Sequence, residues 1–153
     1  MGIYEELELQ HQQINGQIDQ FVAQLNSESG FDPVEIIQQL EEFSKLLFAH
    51  FTLEDRVFSQ MIIDQNCVAG RKSQILESMG DIQRVISVFV SLIRRWWMKD
   101  GSEIDREQFR AEVLENLDTI HDCLQSEESD IFAYCESCIR EVDLEERLGY
   151  RTA

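Results

Sequence analysis

Proline and basic residues are both scarce in this sequence. One proline in 153 residues, together with long stretches rich in Leu, Ile, Gln and Glu, favours an all-helical protein. The 13 lysines and arginines are outnumbered by 30 aspartates and glutamates, which gives a formal net charge of -17. Such a surface repels phosphate backbones and anionic lipid headgroups, so nucleic acid and membranes are poor partners. A cation or a basic protein surface is a better one.

Long apolar runs and targeting signals are also lacking. The longest apolar run, around Val85–Ile93, is too short to span a bilayer, and the N-terminus MGIYEELELQH has neither the basic start nor the apolar core of a signal peptide. We therefore expect a cytoplasmic protein whose four cysteines are reduced thiols. Cys67 is then a small core residue. Cys135 and Cys138, in CESC, are half of a zinc site, a redox dithiol or two packed core residues.

Apolar residues recur every three or four positions along four segments, which predicts four amphipathic helices. Asp32 can cap the second helix, and the third is expected roughly over residues 68–98. The apolar stripe of the first helix consists of Tyr4, Leu7, His11, Ile14, Ile18, Phe21 and Leu25. That of the second consists of Ile36, Leu40, Phe43, Leu47, His50, Glu54, Val57 and Met61. That of the fourth consists of Leu114, Leu117, His121, Leu124, Glu128, Ile131, Cys135 and Cys138.

Each apolar stripe must be buried against the others, and the predicted loops are short. We therefore predict an all-α fold, an antiparallel up-down-up-down four-helix bundle. The bundle is expected over residues 1–142, and a C-terminal tail over 143–153.

All three histidines of the chain fall on these stripes, on three different helices. Glu54 follows His50 by one helical turn, and a buried carboxylate without a partner costs several kcal/mol. Imidazoles and carboxylates that project from facing helices into a bundle are the ligands of non-haem iron sites. The pattern indicates a metal site, although each histidine taken singly could be an ordinary hydrogen-bonded core residue.

Three stretches resemble the motifs of one family. ELQHQQINGQIDQF contains His11, FAHFTLEDRVF contains His50 and Glu54, and IHDCLQSEESDIF contains His121. They are similar to the first-, second- and last-helix motifs of the hemerythrin family, also called the HHE cation-binding domain. The resemblance spans most of the chain and implies a four-helix bundle that binds iron.

The sequence departs from the family pattern in two helices. In the last motif, the family register places Cys123 in the histidine position and favours Glu127, whereas apolar periodicity favours His121. In the third helix, the family's histidines are missing, so a reversible oxygen carrier is not expected. We predict His11, His50, Glu54 and His121 as metal ligands, with completion of the site by one of Glu77, Asp81, Cys123, Glu127 or Glu128.

The function we predict is binding of iron, as one or two ions, to sense or handle oxygen, nitric oxide or iron, without enzymatic activity. The expected partners are the metal ion and a diatomic gas. The alternative is a metal-free bundle that serves as a regulatory interaction module for a basic protein. A di-iron oxidase or a repair activity is a third interpretation, which no nucleophile or acid–base motif in the sequence supports.

Overall fold

The computed structural model describes residues 2–149, and all regular secondary structure in this part of the chain is helical. The prediction of an all-α protein is confirmed. The helices are α1, Ile3–Leu25; α2, Pro33–Ile63; α3, Ala69–Trp97; α4, Arg106–Ser126; α5, Ala133–Cys138; and α6, Glu141–Leu148. A short 3₁₀ turn, Gly101–Glu103, precedes α4, and a π-helical turn, Glu127–Phe132, joins α4 to α5.

Side chains just before the helices define where α2 and α4 begin. The carboxylate of Asp32 accepts a hydrogen bond from the Val34 N–H at 3.0 Å, and that of Asp105 accepts one from the Gln108 N–H at 3.1 Å. Both contacts satisfy N–H groups that a helix start leaves without partners. Gly30, with a φ of 85°, forms the turn between α1 and α2, where a side chain would be strained.

The four long helices enclose one core. α1 packs against α2 and α4, and α3 packs against the same two helices. Every residue of the stripes predicted for α1 and α2 is buried. The up-down-up-down order of the helices stays a prediction. No helix within residues 2–149 is long and apolar enough to cross a bilayer.

The buried face of α4 differs from the predicted stripe. Leu117 and Leu124 are buried as expected, but the other buried residues are Phe109, Val113 and Ile120. Val113 and Ile120 lie one residue before Leu114 and His121 of the predicted stripe. The inward face is therefore rotated away from His121, and the prediction that His121 faces the interior is wrong.

The C-terminal helix α6 packs against α1 and α2. The buried carboxylate of Glu145 accepts a hydrogen bond from the Ile3 N–H at 2.9 Å, and Glu141 accepts one from the Tyr4 N–H at 3.0 Å. The boundary predicted after residue 142 falls inside this helix, and the division into a bundle and a tail stays a prediction. Residues 150–153 of the predicted tail lie outside the described residues.

Candidate metal centre

Four buried polar side chains meet between the long helices. His11 comes from α1, His50 and Glu54 come from α2, and Glu127 opens the π-helical turn after α4. All four are buried. Because α1 and α2 are long and regular, His11, His50 and Glu54 lie on the faces that their apolar neighbours place in the core.

The donor atoms of the four side chains converge on one point. The Nε2 atoms of His11 and His50 are 2.8 Å apart, and Glu54 Oε1 lies 2.9 Å from His50 Nε2 and 3.4 Å from His11 Nε2. Glu127 Oε2 lies 3.6 Å from His11 Nε2. One donor atom from each residue falls within 4.8 Å of all the others. A single cation at the centre could contact all four side chains.

The other ring nitrogens of both histidines have partners outside the cluster. His11 Nδ1 lies 2.9 Å from Glu128 Oε1, and His50 Nδ1 lies 2.8 Å from Gln10 Oε1. Both partner atoms are acceptors, so each Nδ1 carries a proton and donates it. A neutral ring in this tautomer presents an unprotonated Nε2. Two such Nε2 atoms at 2.8 Å would oppose their lone pairs, so the contact requires a proton or a cation between them.

Burial and the two carboxylates shift the pKa values of the cluster. Burial acts to lower the pKa of His11, but the nearby carboxylates of Glu127 and Glu54 outweigh it and raise the pKa to about 9. Burial and the neighbouring charge of His11 lower the pKa of His50 to about 3. Burial raises the pKa of Glu127 to about 8, against the opposing effect of His11. In the metal-free cluster both His11 and Glu127 are therefore protonated at neutral pH.

Two carboxylate oxygens in the cluster lack hydrogen-bond partners. Oε2 of Glu54 and Oε2 of Glu127 are fully buried and accept no hydrogen bond. A buried polar atom left in this state destabilises the fold by about 1–3 kcal/mol. A cation would satisfy both atoms, and two imidazoles with two carboxylates are a suitable donor set for iron and related transition metals. The residues present fit a metal ion.

The structure brings together three of the four predicted ligands. His11, His50 and Glu54 meet in the cluster, but the side chain of His121 is 43% exposed and lies 3.4 Å from Asp122 on the surface. The expectation that His121 joins the cluster is corrected, since α4 presents Ile120 and Leu124 to the core instead.

Glu127 occupies the place in the cluster that was expected for His121. The family register of the last-helix motif had favoured Glu127 at this place. The buried stripe that runs through Phe109, Val113, Leu117, Ile120 and Leu124 reaches Glu127 three residues later, so an apolar pattern that leads to it was present in the sequence. Cys123, the other residue of that register, donates from its thiol to Glu127 Oε1 at 3.5 Å. Burial raises the pKa of the Cys123 thiol, and the charge of Glu127 raises it further.

Helix α3 contributes no residue to the cluster. Glu77 and Asp81, both considered as ligands, are exposed, and Asp81 pairs with Arg84. The buried residues of α3 are apolar: Ile75, Ile82, Phe89, Leu92 and Trp96. Among the described residues, the only group of His, Cys, Asp and Glu side chains close enough to hold a metal is the one on α1, α2 and the π turn.

A known family model matches most of the chain. The family model described as the hemerythrin HHE cation-binding domain matches residues 2–135, a range that includes all four residues of the cluster. The chain belongs to the hemerythrin HHE cation-binding family. Membership supports a cation as the ligand of the buried cluster. Searches among curated proteins and among solved structures gave no significant match.

Proposed function

We propose that this hemerythrin-family protein binds one iron ion through His11, His50, Glu54 and Glu127, and uses it to sense or handle oxygen, nitric oxide or iron. The observation that supports the proposal most strongly is the contact between the two Nε2 atoms at 2.8 Å, with both Nδ1 atoms already engaged as donors. A metal ion resolves the opposition of the two lone pairs and completes both buried carboxylates.

A single ion suits the donor set better than a pair. Two ions would need a second group of ligands on the side of α3, where the core-facing residues are apolar. Of the one or two ions that the sequence predicts, we therefore propose one. Reversible oxygen carriage by an iron pair is not part of the proposal.

Aromatic rings enclose the histidines. The ring of Phe132 lies 5.2 Å from that of His11, and the ring of Phe51 lies 5.3 Å from that of His50, measured between centroids. These rings restrict the access of water, while Glu128 and Gln10 hold the imidazoles in a binding orientation. An iron ion held by four protein ligands would supply an open coordination position for a diatomic ligand.

We propose a binding protein rather than an enzyme, in the cytoplasm, with a diatomic gas as the small-molecule partner. The charge of -17 favours a basic surface on any protein partner.

Metal analysis tests the proposal directly. The full chain is purified anaerobically without a chelating tag, and its iron content and ultraviolet-visible spectrum are measured before and after ferrous iron is added and the excess removed. We expect about one iron per chain, as four ligands for one site require. A content near zero after iron addition would contradict the proposal and favour the metal-free interaction module. Two irons per chain would contradict the single-ion site.

A further inference from the structure

Helix α3 carries a second apolar stripe beside the one that it buries in the core. Its members recur every three or four residues over about 32 Å of helix, and one of them is a glutamine: Leu76, Met79, Gln83, Ile86, Val90, Ile93 and Trp97. Leu76, Gln83 and Trp97 are exposed, and the other four are only partly buried. This spacing is typical of a helix that packs along a second helix. Within residues 2–149, α3 packs against α2 and α4, and the stripe remains at the surface.

A groove between α2 and α3 extends this apolar surface. It has a volume of about 230 Å³ and is lined by Met79, Gln83 and Ile86 from α3 and by Phe48 and Asp55, among others, from α2. The Phe48 side chain is 44% exposed at this groove. Aromatic side chains and methionine are enriched in protein–protein interfaces. We call Phe48 and the stripe on α3 the α2–α3 face.

The distribution of charge favours this face as a contact between two copies of the chain. The net charge of -17 makes two copies repel each other over most of their surfaces. Helix α1 has four acidic residues and no lysine or arginine, whereas α3 has two acidic residues and five basic ones. Copies that approach each other through α3 therefore meet less acidic surface than copies that approach through α1.

We propose that the α2–α3 face binds a second copy of the chain and that the protein forms a two-fold symmetric dimer, with its two α3 helices antiparallel. Two-fold dimers are the commonest protein oligomers, and each subunit contributes the same surface to them. When Leu76 of one copy lies opposite Trp97 of the other, Ile86 falls beside the two-fold axis. The partly exposed side chains of the two stripes then cover each other along their whole length.

An antiparallel arrangement also brings opposite charges together across the interface. Arg94 lies three residues before the end of the stripe at Trp97, and Met79 lies three residues after its start at Leu76. Arg94 of one copy therefore lies at the level of Met79 of the other, and Met79 lines the groove together with Asp55. Within residues 2–149, neither Asp55 nor Arg94 belongs to an ion pair, so both are available to a second chain. A parallel arrangement would instead place Arg94 beside Arg94.

The size of the face suits a dimer of moderate affinity. A stripe of this length across two adjacent helices covers on the order of 600 Å², and an interface of standard size buries about 800 Å² per partner. The dimer should therefore form at micromolar concentrations and dissociate on dilution. None of the four residues of the metal centre belongs to the face, so the inference does not depend on the proposed metal function.

Sedimentation velocity of the full chain tests the inference. The protein is measured in the presence of a metal chelator at concentrations from about 2 to 200 µM, the range in which a micromolar dimer dissociates. We expect a reversible equilibrium between monomer and dimer without larger species, because a two-fold interface is closed. A chain that stays monomeric throughout this range, or that forms open-ended assemblies, would overturn the inference.

Two substitutions on α3 assign the surface. Leu76→Glu places a charge in the stripe and should raise the dissociation constant of the dimer by more than about tenfold. Val88→Glu is the matched control, because Val88 is 58% exposed against 55% for Leu76 but lies outside the stripe. The control should change the constant by less than about threefold. Thermal unfolding shows that both variants are folded, and equal weakening of the dimer in both would overturn the assignment of the face.

An exchange of charges tests the antiparallel orientation. Asp55→Arg and Arg94→Glu, made singly, each bring like charges together and should raise the dissociation constant by about fivefold or more. The double variant restores opposite charges, and its constant should return to within about threefold of that of the unaltered protein. A purely structural effect of the substitutions would not be reversed in this way. A double variant that dimerises as weakly as the single variants would contradict the antiparallel dimer.

Discussion

His11 and His50 face each other through the same ring nitrogen, with their Nε2 atoms 2.8 Å apart. Their Nδ1 atoms point outward to Glu128 and Gln10, which are 2.9 Å and 2.8 Å away. Each imidazole is thus oriented by a partner on its outer side and directs an acceptor at its inner side. In the metal-free protein this inner contact holds a proton on His11, and a bound cation would take the place of that proton.

Removal of one converging imidazole should abolish stabilisation by metal. At a metal concentration one hundred times Kd, binding adds about 2.7 kcal/mol, which raises the melting temperature by roughly 5–10 °C for a chain of this size. We expect this shift in the unaltered protein and its loss in His50→Ala. His121→Ala is the matched control and should retain the shift, because His121 lies on the surface. Thermal unfolding with and without ferrous iron measures the shift in both variants. An equal loss of the shift in His50→Ala and His121→Ala would contradict the assignment of His50 as a metal ligand.

The two adjacent glutamates of the π turn should differ in their effect on affinity. Glu127→Gln removes a charged donor from the cluster, and we expect the metal affinity to fall by more than about 100-fold. Glu128→Gln keeps an oxygen that can accept from His11 Nδ1, so the affinity should fall by less than about tenfold. Competition with a chromophoric chelator gives both constants. A larger loss in Glu128→Gln would mean that Glu127 is not a ligand.

Metal affinity should rise with pH between about 6 and 9. The pKa of His11 is raised to about 9 and that of Glu127 to about 8, so at pH 7 both groups hold a proton that the metal must displace. We expect release of about two protons per metal bound at pH 7. Titration calorimetry in buffers of different ionisation enthalpy measures the number of protons released. Metal binding without proton release would contradict the raised pKa values of His11 and Glu127.

Protonation of His11 should also make the stability of the metal-free protein depend on pH. Whereas the metal affinity rises with pH, this stability should fall. A group whose pKa is raised on folding stabilises the protein fully below its unfolded pKa and loses that contribution as the pH rises through the folded pKa. For His11 the window runs from 6.5 to about 9. We therefore expect the free energy of unfolding of the metal-free protein to decrease over this range, while the metal-bound protein does not show the decrease. Urea unfolding at several pH values tests this.

The C-terminal helix should stabilise the fold through Glu145. Its buried carboxylate accepts a hydrogen bond from the Ile3 N–H at the start of α1, at 2.9 Å. Loss of this acceptor leaves a buried N–H without a partner, so Glu145→Ala should lower the free energy of unfolding by about 1–3 kcal/mol. Glu146→Ala, at an exposed neighbour, is the control and should change it by less than about 0.5 kcal/mol. Similar effects in the two variants would show that the contact at Ile3 is not stabilising.

The first two helices illustrate what could be predicted without a structure. Each has one continuous stripe, and its residues are buried as the spacing requires. Because a helix of 23 or 31 residues with a single apolar face has one way to bury it, the inward direction of His11, His50 and Glu54 follows from the pattern.

The fourth helix shows where such reasoning fails. Leu117 and Leu124 belong to two overlapping stripes, one of which contains His121 and the other Ile120 and Glu127. The spacing of apolar residues does not decide which of two adjacent helix faces is buried, because both faces include Leu117 and Leu124. The π turn adds a further residue to the register after Ser126, and it buries Ile131 and Phe132 side by side.

The sequence alone predicted a helical protein and placed His11, His50 and Glu54 on inward faces as candidates for a cation site. It also placed His121 on an inward face, which is wrong. These predictions depend on composition and on a periodicity within single helices. The place of Glu127 in the cluster and the exposure of His121 became evident only from the packed helices. Both depend on how far each helix is rotated against its neighbours, and packing of the whole core sets that rotation.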